Sequence, residues 1–255
     1  MSKTPATIDS WSDLRSYTAA RIALGRTGAS LPVGEVLRFA LAHAQARDAV
    51  HTALDTMELA AQLTKMGHPV LQVRSRAQNR ASYLARPDLG RRLDEDIAKE
   101  LRAGAAGGAD LLFVLSDGLS SSAVQKHAVP LLGALRPLLS GYQWAPIIIA
   151  SQARVALADE AGECLGTRLV VSLIGERPGL SSPDSLGAYL TFGPRIGCSD
   201  ADRNCISNIR PEGLGYHEAA GQIAELVHAA LKLSLTGVKL RLGPALLAPQ
   251  ASEEI

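Results

Sequence analysis

The richest concentration of side chains able to meet a ligand lies in residues 175–209, GERPGLSSPDSLGAYLTFGPRIGCSDADRNCISNI. Here two polar, glycine- and proline-marked loops each adjoin an apolar, strand-like run. The first loop leaves RLVVSLI (168–174) with Glu176, Arg177, Pro178 and Gly179. A carboxylate directly after a strand, followed by a stiff proline, is aimed into the crevice at the strand's end, where it can accept hydrogen bonds from amide groups of a ligand. The alternative is a structural Arg–Glu pair or a helix cap. The second loop carries Cys205, Ser207 and Asn208 between two turns. No histidine is placed in sequence to activate Cys205 as a nucleophile, so it reads as a small buried hydrophobe or as a ligand contact.

Three further constellations are weaker. SDGLS (116–120) joins a strand to a helix, and its backbone N–H groups around 118–121 either receive an anion or form an Asp–Gly turn with serine N-capping. It matches neither a dinucleotide fingerprint nor a phosphate-loop motif. In YLARPDLGRRL (83–93), a strand or turn precedes Arg91 and Arg92, which either pair with carboxylates of a partner subunit or with phosphate, or form a solvated first turn. The six histidines show no metal-ligand spacing. A hydrolase built on Cys205 or Asp117 would lack a base.

Composition narrows the classes. With 255 residues, 47% hydrophobic and 20% charged, the chain can bury a sizeable core. A net charge of +1 supplies no field for nucleic acid or an acidic membrane, and no apolar run approaches the length of a bilayer span. Three cysteines without paired spacing point to a reduced, cytoplasmic protein.

The elements that must position these residues follow from periodicity. Residues 10–65 have helical spacing, interrupted at 25–32, and predict a helical N-terminal unit over 1–66. From 67 to 255, apolar runs at 69–75, 111–116, 145–151, 168–174 and 186–192, with a short piece at 205–209, alternate with helical stretches at 93–103, 121–139, 157–165 and 218–235. Pro130 and Pro137 are expected to interrupt the second stretch. Strands that are apolar throughout and separated by helices predict an α/β fold: a Rossmann-like, mainly parallel sheet with helices on both faces. Its ligand belongs outside the carboxyl ends of the strands. The tail after residue 240 is expected to be weakly structured.

The chain resembles the small subunits of ethanolamine ammonia-lyase through ARIALGRTG (20–28), LRFALAHAQARD (37–48), YLARPDLGRRL, SDGLS, GERPGL (175–180), SLGAY (185–189) and DRNCISNI (202–209). The combination of GERPG with DRNCISNI is highly specific, and the motifs span nearly the whole chain. The resemblance implies a Rossmann-like subunit that covers adenosylcobalamin. Its partner is a large, TIM-barrel subunit that binds ethanolamine, and together they release acetaldehyde and ammonia by radical chemistry carried by the cofactor. It implies cofactor contacts at Val155, Glu176 and Cys205, a base-on cofactor because no D-x-H-x-x-G is present, and a hetero-oligomer with no catalytic residue on this chain. The expected location is the cytoplasm; a bacterial microcompartment is the alternative, disfavoured by the short stretch before the first motif. The competing function is a stand-alone cobalamin- or nucleotide-binding carrier or regulatory module.

Overall fold

The computed structural model describes residues 9–105 and 107–240. The tail after 240 and the first eight residues of the N-terminal unit lie outside that range. Six strands, β1 (Val70–Arg74), β2 (Leu111–Ser116), β3 (Ile147–Ser151), β4 (Leu169–Gly175), β5 (Leu186–Phe192) and β6 (Arg203–Ile209), form one sheet in the order β1-β3-β2-β4-β5-β6. The first four are mutually parallel; β5 runs antiparallel to β4, and β6 antiparallel to β5. The fold is therefore mixed α/β with a mostly parallel sheet.

Side chains alternate across each central strand, and the core divides accordingly. Leu111, Phe113 and Leu115 of β2, with Leu169, Val171 and Leu173 of β4, point to one face. There they meet α2 (Thr56–Lys65), α5 (Ser121–Leu138) and α7 (Tyr216–Leu233). Leu112, Val114 and Val170 point to the other, against α4 (Glu95–Ala103) and α6 (Val155–Leu165). Burial on both faces explains why these strands are apolar at nearly every position, Ser116 and Ser172 excepted.

Several local expectations are corrected. α5 is one continuous helix through Pro130 and Pro137. Both prolines are exposed, whereas Ala128, Leu131, Leu132 and Leu135 are fully buried, so packing outweighs the lost hydrogen bonds, about 3 kcal/mol for an interior proline. Cys205, Ser207 and Asn208, placed both in a polar loop and in a short strand piece at 205–209, belong to a seven-residue edge strand. Tyr83 sits in α3 (Arg80–Ala85), where a strand or turn was expected; Asn79 and Ser82 form its capping box. Around 14–24 only a 3-10 turn, Ser12–Ser16, forms ahead of α1 (Val33–His51). No helix among the described residues is long and apolar enough to cross a membrane.

Candidate functional site

The chain leaves β2 into α5 on one face of the sheet, and leaves β3 into α6 on the other before β4 returns beside β2. The carboxyl ends of β2 and β4 therefore flank a switch point, where the diverging connections leave a crevice. It is a cleft of about 910 Å³. Gly118 after β2, Ile174 to Arg177 at the end of β4, Arg154 to Ala156 at the start of α6, and Tyr189 of β5 contribute to its walls.

Two glycines shape its floor. Gly118 has φ +55, and a Cβ on it would lie 2.2 Å from the Gly175 carbonyl oxygen. A Cβ on Gly175 would lie 1.9 Å from the Ser120 oxygen. The Leu119 N–H donates to the Gly175 carbonyl at 2.9 Å. SDGLS and GERPG thus interlock backbone to backbone, an approach no side chain permits.

In SDGLS itself, Asp117 is buried, accepts from the N–H groups of Gln152 (2.8 Å) and Ala153 (2.9 Å), and faces Arg80 at 3.5 Å. Burial raises its pKa against these partners. It ties the ends of β2 and β3 together. The Ser120 hydroxyl donates to Pro183 O and that of Ser121 to Thr52 O, and no side chain caps α5.

Glu176 is half-buried in the cleft. Leu173 belongs to the main core, so Ile174 and Glu176 face the opposite side of the sheet. The cross-strand pairs Ser172 with Tyr189 and Tyr189 with Cys205 carry that same face outward through β5 and β6. Val155 is the first residue of α6 and lines the cleft. Cys205 is exposed on the same sheet face but beyond the cleft lining, its Sγ 3.4 Å from Ser207 Oγ. Val155 and Glu176 are thus brought together in one cleft, with Cys205 further along the same shelf. Burial, reinforced by Cys205 and then Glu176, pushes the Tyr189 phenol pKa up.

Arg92 forms a two-pronged pair with buried Glu160 at 2.9 and 3.1 Å, and Glu160 also accepts from the Leu93 N–H. Burial raises the Glu160 pKa, but these donors outweigh it and hold the carboxyl below the usual range. Arg92's carboxylate is therefore within this chain, whereas Arg91 is exposed and lines the cleft. Sequence reasoning missed the buried Asp159–Arg203 ion pair in the same cleft; its available signal was the adjacent acidic pair Asp159–Glu160 between apolar neighbours in α6. It also missed Tyr83, whose ring lies 4.7 Å from the guanidinium carbons of both Arg80 and Arg154. Burial, then Asp117, pushes the Tyr83 phenol up to about 12 against the two arginines. Among the described residues no group of three or more His, Cys, Asp and Glu side chains could hold a metal ion.

Comparison with known proteins agrees along nearly the full chain. The family model for "Ethanolamine ammonia-lyase light chain (EutC)" matches residues 8–241. The chain is 54% identical over 244 residues to the ethanolamine ammonia-lyase small subunit of Azotobacter vinelandii, covering 94% of this chain and 90% of the relative. It is 53% identical over 245 residues to that of Ralstonia nicotianae (93% and 91%) and 52% identical over 244 residues to that of Pseudomonas putida (94% and 90%). A cleft at the switch point, the interlocked GERPG and SDGLS segments, and this extent of similarity lead to one conclusion: the chain belongs to the ethanolamine ammonia-lyase light chain family.

Proposed function

We propose that this chain is the cofactor-covering subunit of an adenosylcobalamin-dependent ethanolamine ammonia-lyase, working in the cytoplasm with a large subunit that holds the substrate. The observation carrying this reading is the shelf itself. Val155 and Glu176 share an open cleft whose continuation along the same sheet face reaches Cys205. A cleft of about 910 Å³ lies near the upper end for small-molecule sites, which suits a large ligand shared with a second chain. The donor set fits as well: Glu176 offers a carboxylate to corrin amides, Val155 an apolar edge, and Cys205 a soft contact without an activating base.

When bound, the cofactor supplies the radical chemistry. This chain's residues bind, orient and exclude water. The interlocked glycines keep the end of β4 from shifting, so Glu176 is presented from rigid backbone. A Rossmann-like description is supported by the crossovers β2–α5–β3 and β3–α6–β4, which pass on opposite faces. A base-on cofactor belongs to the same proposal.

For the large subunit we assign the outer face of α1, in the N-terminal unit ahead of the sheet. Val33, Leu37 and Leu41 recur every four residues, on one face of a helix, and are 73%, 64% and 60% exposed. A stripe of that kind marks an interaction surface more than a solvated one.

The experiment is an absorbance titration with adenosylcobalamin, using the chain alone and then co-expressed with its large subunit, with acetaldehyde formation from ethanolamine followed in parallel. Binding and turnover confined to the co-expressed sample are expected. Tight binding by the isolated chain, with no gain from the partner, would instead favour a free-standing cobalamin module.

A further inference from the structure

The cleft wall beside the start of α6 holds more cations than its carboxylates neutralise. Five arginines line the cleft: Arg91, Arg92, Arg154, Arg177 and Arg203. Arg92 is committed to Glu160, and Arg203 to Asp159 and Asp200. Among the described residues, Arg91, Arg154 and Arg177 form no ion pair, and Glu176 is the one lining carboxylate outside such a pair.

Arg154 is held in place before any ligand arrives. Its guanidinium lies over the Tyr83 ring, and Nη2 donates to the Tyr83 carbonyl at 3.3 Å. Gly90 makes room for it, since a Cβ there would lie 3.2 Å from Arg154 Cγ and 2.9 Å from the Tyr83 ring. Its Nε is buried without an acceptor among the described residues. A guanidinium carries five N–H donors, so a stacked one with a buried, unspent donor and no carboxylate is suited to a planar or tetrahedral oxyanion. The N–H groups of Val155 and Ala156, in the first turn of α6, likewise meet no acceptor among the described residues, and add the positive end of the helix.

We propose that Arg154, with Arg91 and Arg177, forms an anion subsite that receives the phosphodiester of the cofactor's nucleotide loop. This rests on the cobalamin reading above and deepens it. The corrin periphery offers neutral amides, which suit Glu176; the phosphodiester is its fixed anion, which suits the arginines. The two kinds of group divide the cleft and set the direction in which the nucleotide loop lies.

The test uses the co-expressed complex and measures affinity by absorbance titration with cyanocobalamin and with cyanocobinamide, which lacks the phosphodiester and nucleotide. Arg154→Gln should weaken cyanocobalamin about tenfold or more, the scale of a lost charge-assisted hydrogen bond, and leave cyanocobinamide within about twofold. Because Arg154 also packs on Tyr83, the exposed pair Arg91→Gln/Arg177→Gln is the second variant and should show the same selectivity if Arg154→Gln does not assemble. Millimolar inorganic phosphate should compete with cyanocobalamin and not with cyanocobinamide. Equal weakening of both corrinoids, or of neither, would overturn the subsite and leave the cobalamin reading standing. Binding of neither corrinoid by the wild-type complex would overturn both.

Discussion

The Asn208 N–H donates to Oε2 of Glu176 at 3.2 Å, joining the end of β4 to the outermost strand. The contact depends on a bulge: Leu186 pairs with Ile209 while Ala188 pairs with Ile206, so Ser207 and Asn208 together oppose Gly187. Asn208 adopts φ +59 there, a conformation asparagine tolerates better than most residues. Sequence neighbours of Cys205 therefore aim the Glu176 carboxylate.

Glu176→Ala should reduce cobalamin retention in the assembled complex far more than it reduces stability. The bond it loses is partly exposed, and a hydrogen bond to a charged group in such a place contributes about 1–2 kcal/mol. Cofactor occupancy after gel filtration, set beside the urea midpoint, checks this. Unchanged occupancy and activity would remove Glu176 from the site.

Gly175→Ala should destabilise the fold by about 3 kcal/mol or prevent soluble expression, because the added methyl meets the Ser120 backbone and not a flexible side chain. Urea denaturation measures it. A loss below about 1 kcal/mol would mean that the strand end and the turn can part.

Asp159→Ala removes the buried partner of Arg203, whose side chain is 4% exposed, and leaves it only the solvent-exposed carboxylate of Asp200. A loss of about 3–5 kcal/mol is expected. The double variant Asp159→Leu/Arg203→Met should recover most of it, since a buried pair replaced by apolar groups of similar size is often neutral. A double variant no more stable than Asp159→Ala would show that the unpaired charge of Arg203 is not what the single variant suffers from.

Stability should decline as pH falls below about 6.5, the ordinary histidine value. Burial holds His127 below that value, and burial followed by the Arg136 charge does the same for His68. Both are neutral in the fold, whereas the unfolded chain takes up protons as pH drops through its own pKa, so folding is penalised from there down to the folded values. His127 faces Tyr216 at 2.8 Å and Asp184 at 4.0 Å. The variant His68→Gln/His127→Gln should flatten the difference in urea midpoint between about pH 7.5 and 5.5; an unaltered difference would assign the dependence to other groups.

Leu37→Glu/Leu41→Glu should abolish co-purification with the large subunit without lowering the melting temperature, because both side chains are exposed. Arg92→Glu should instead destabilise the chain itself, setting two carboxylates against each other at buried Glu160. Intact assembly of the leucine variant would move the interface elsewhere.

The central strands were legible because a strand buried on both faces must be largely apolar, and β2, β3 and β4 are apolar but for one serine each and the closing glycine of β4. GERPG was legible as the polar exit of a strand because stiff, polar residues follow an apolar run, and residues 175–177 do line the cleft. The continuity of α5 was not, since local rules stop a helix at proline and cannot weigh the buried leucines that hold it down. The second segment was legible only in part, as a short strand piece at 205–209: one of its faces is covered, and its polar positions look like a loop until β5 pairs with it over Arg203–Ile209.

The sequence by itself determined the family and the α/β class, because motif identity and hydrophobic period are local properties of the chain. Tertiary structure decided which charges are spent and which are free. Arg92 and Arg203 find buried carboxylates on α6, while Arg154 finds the ring of Tyr83, 71 residues away in sequence. Such pairings depend on distances that exist only after the sheet has closed, since the Coulomb energy and the desolvation that opposes it are both set by position in the fold.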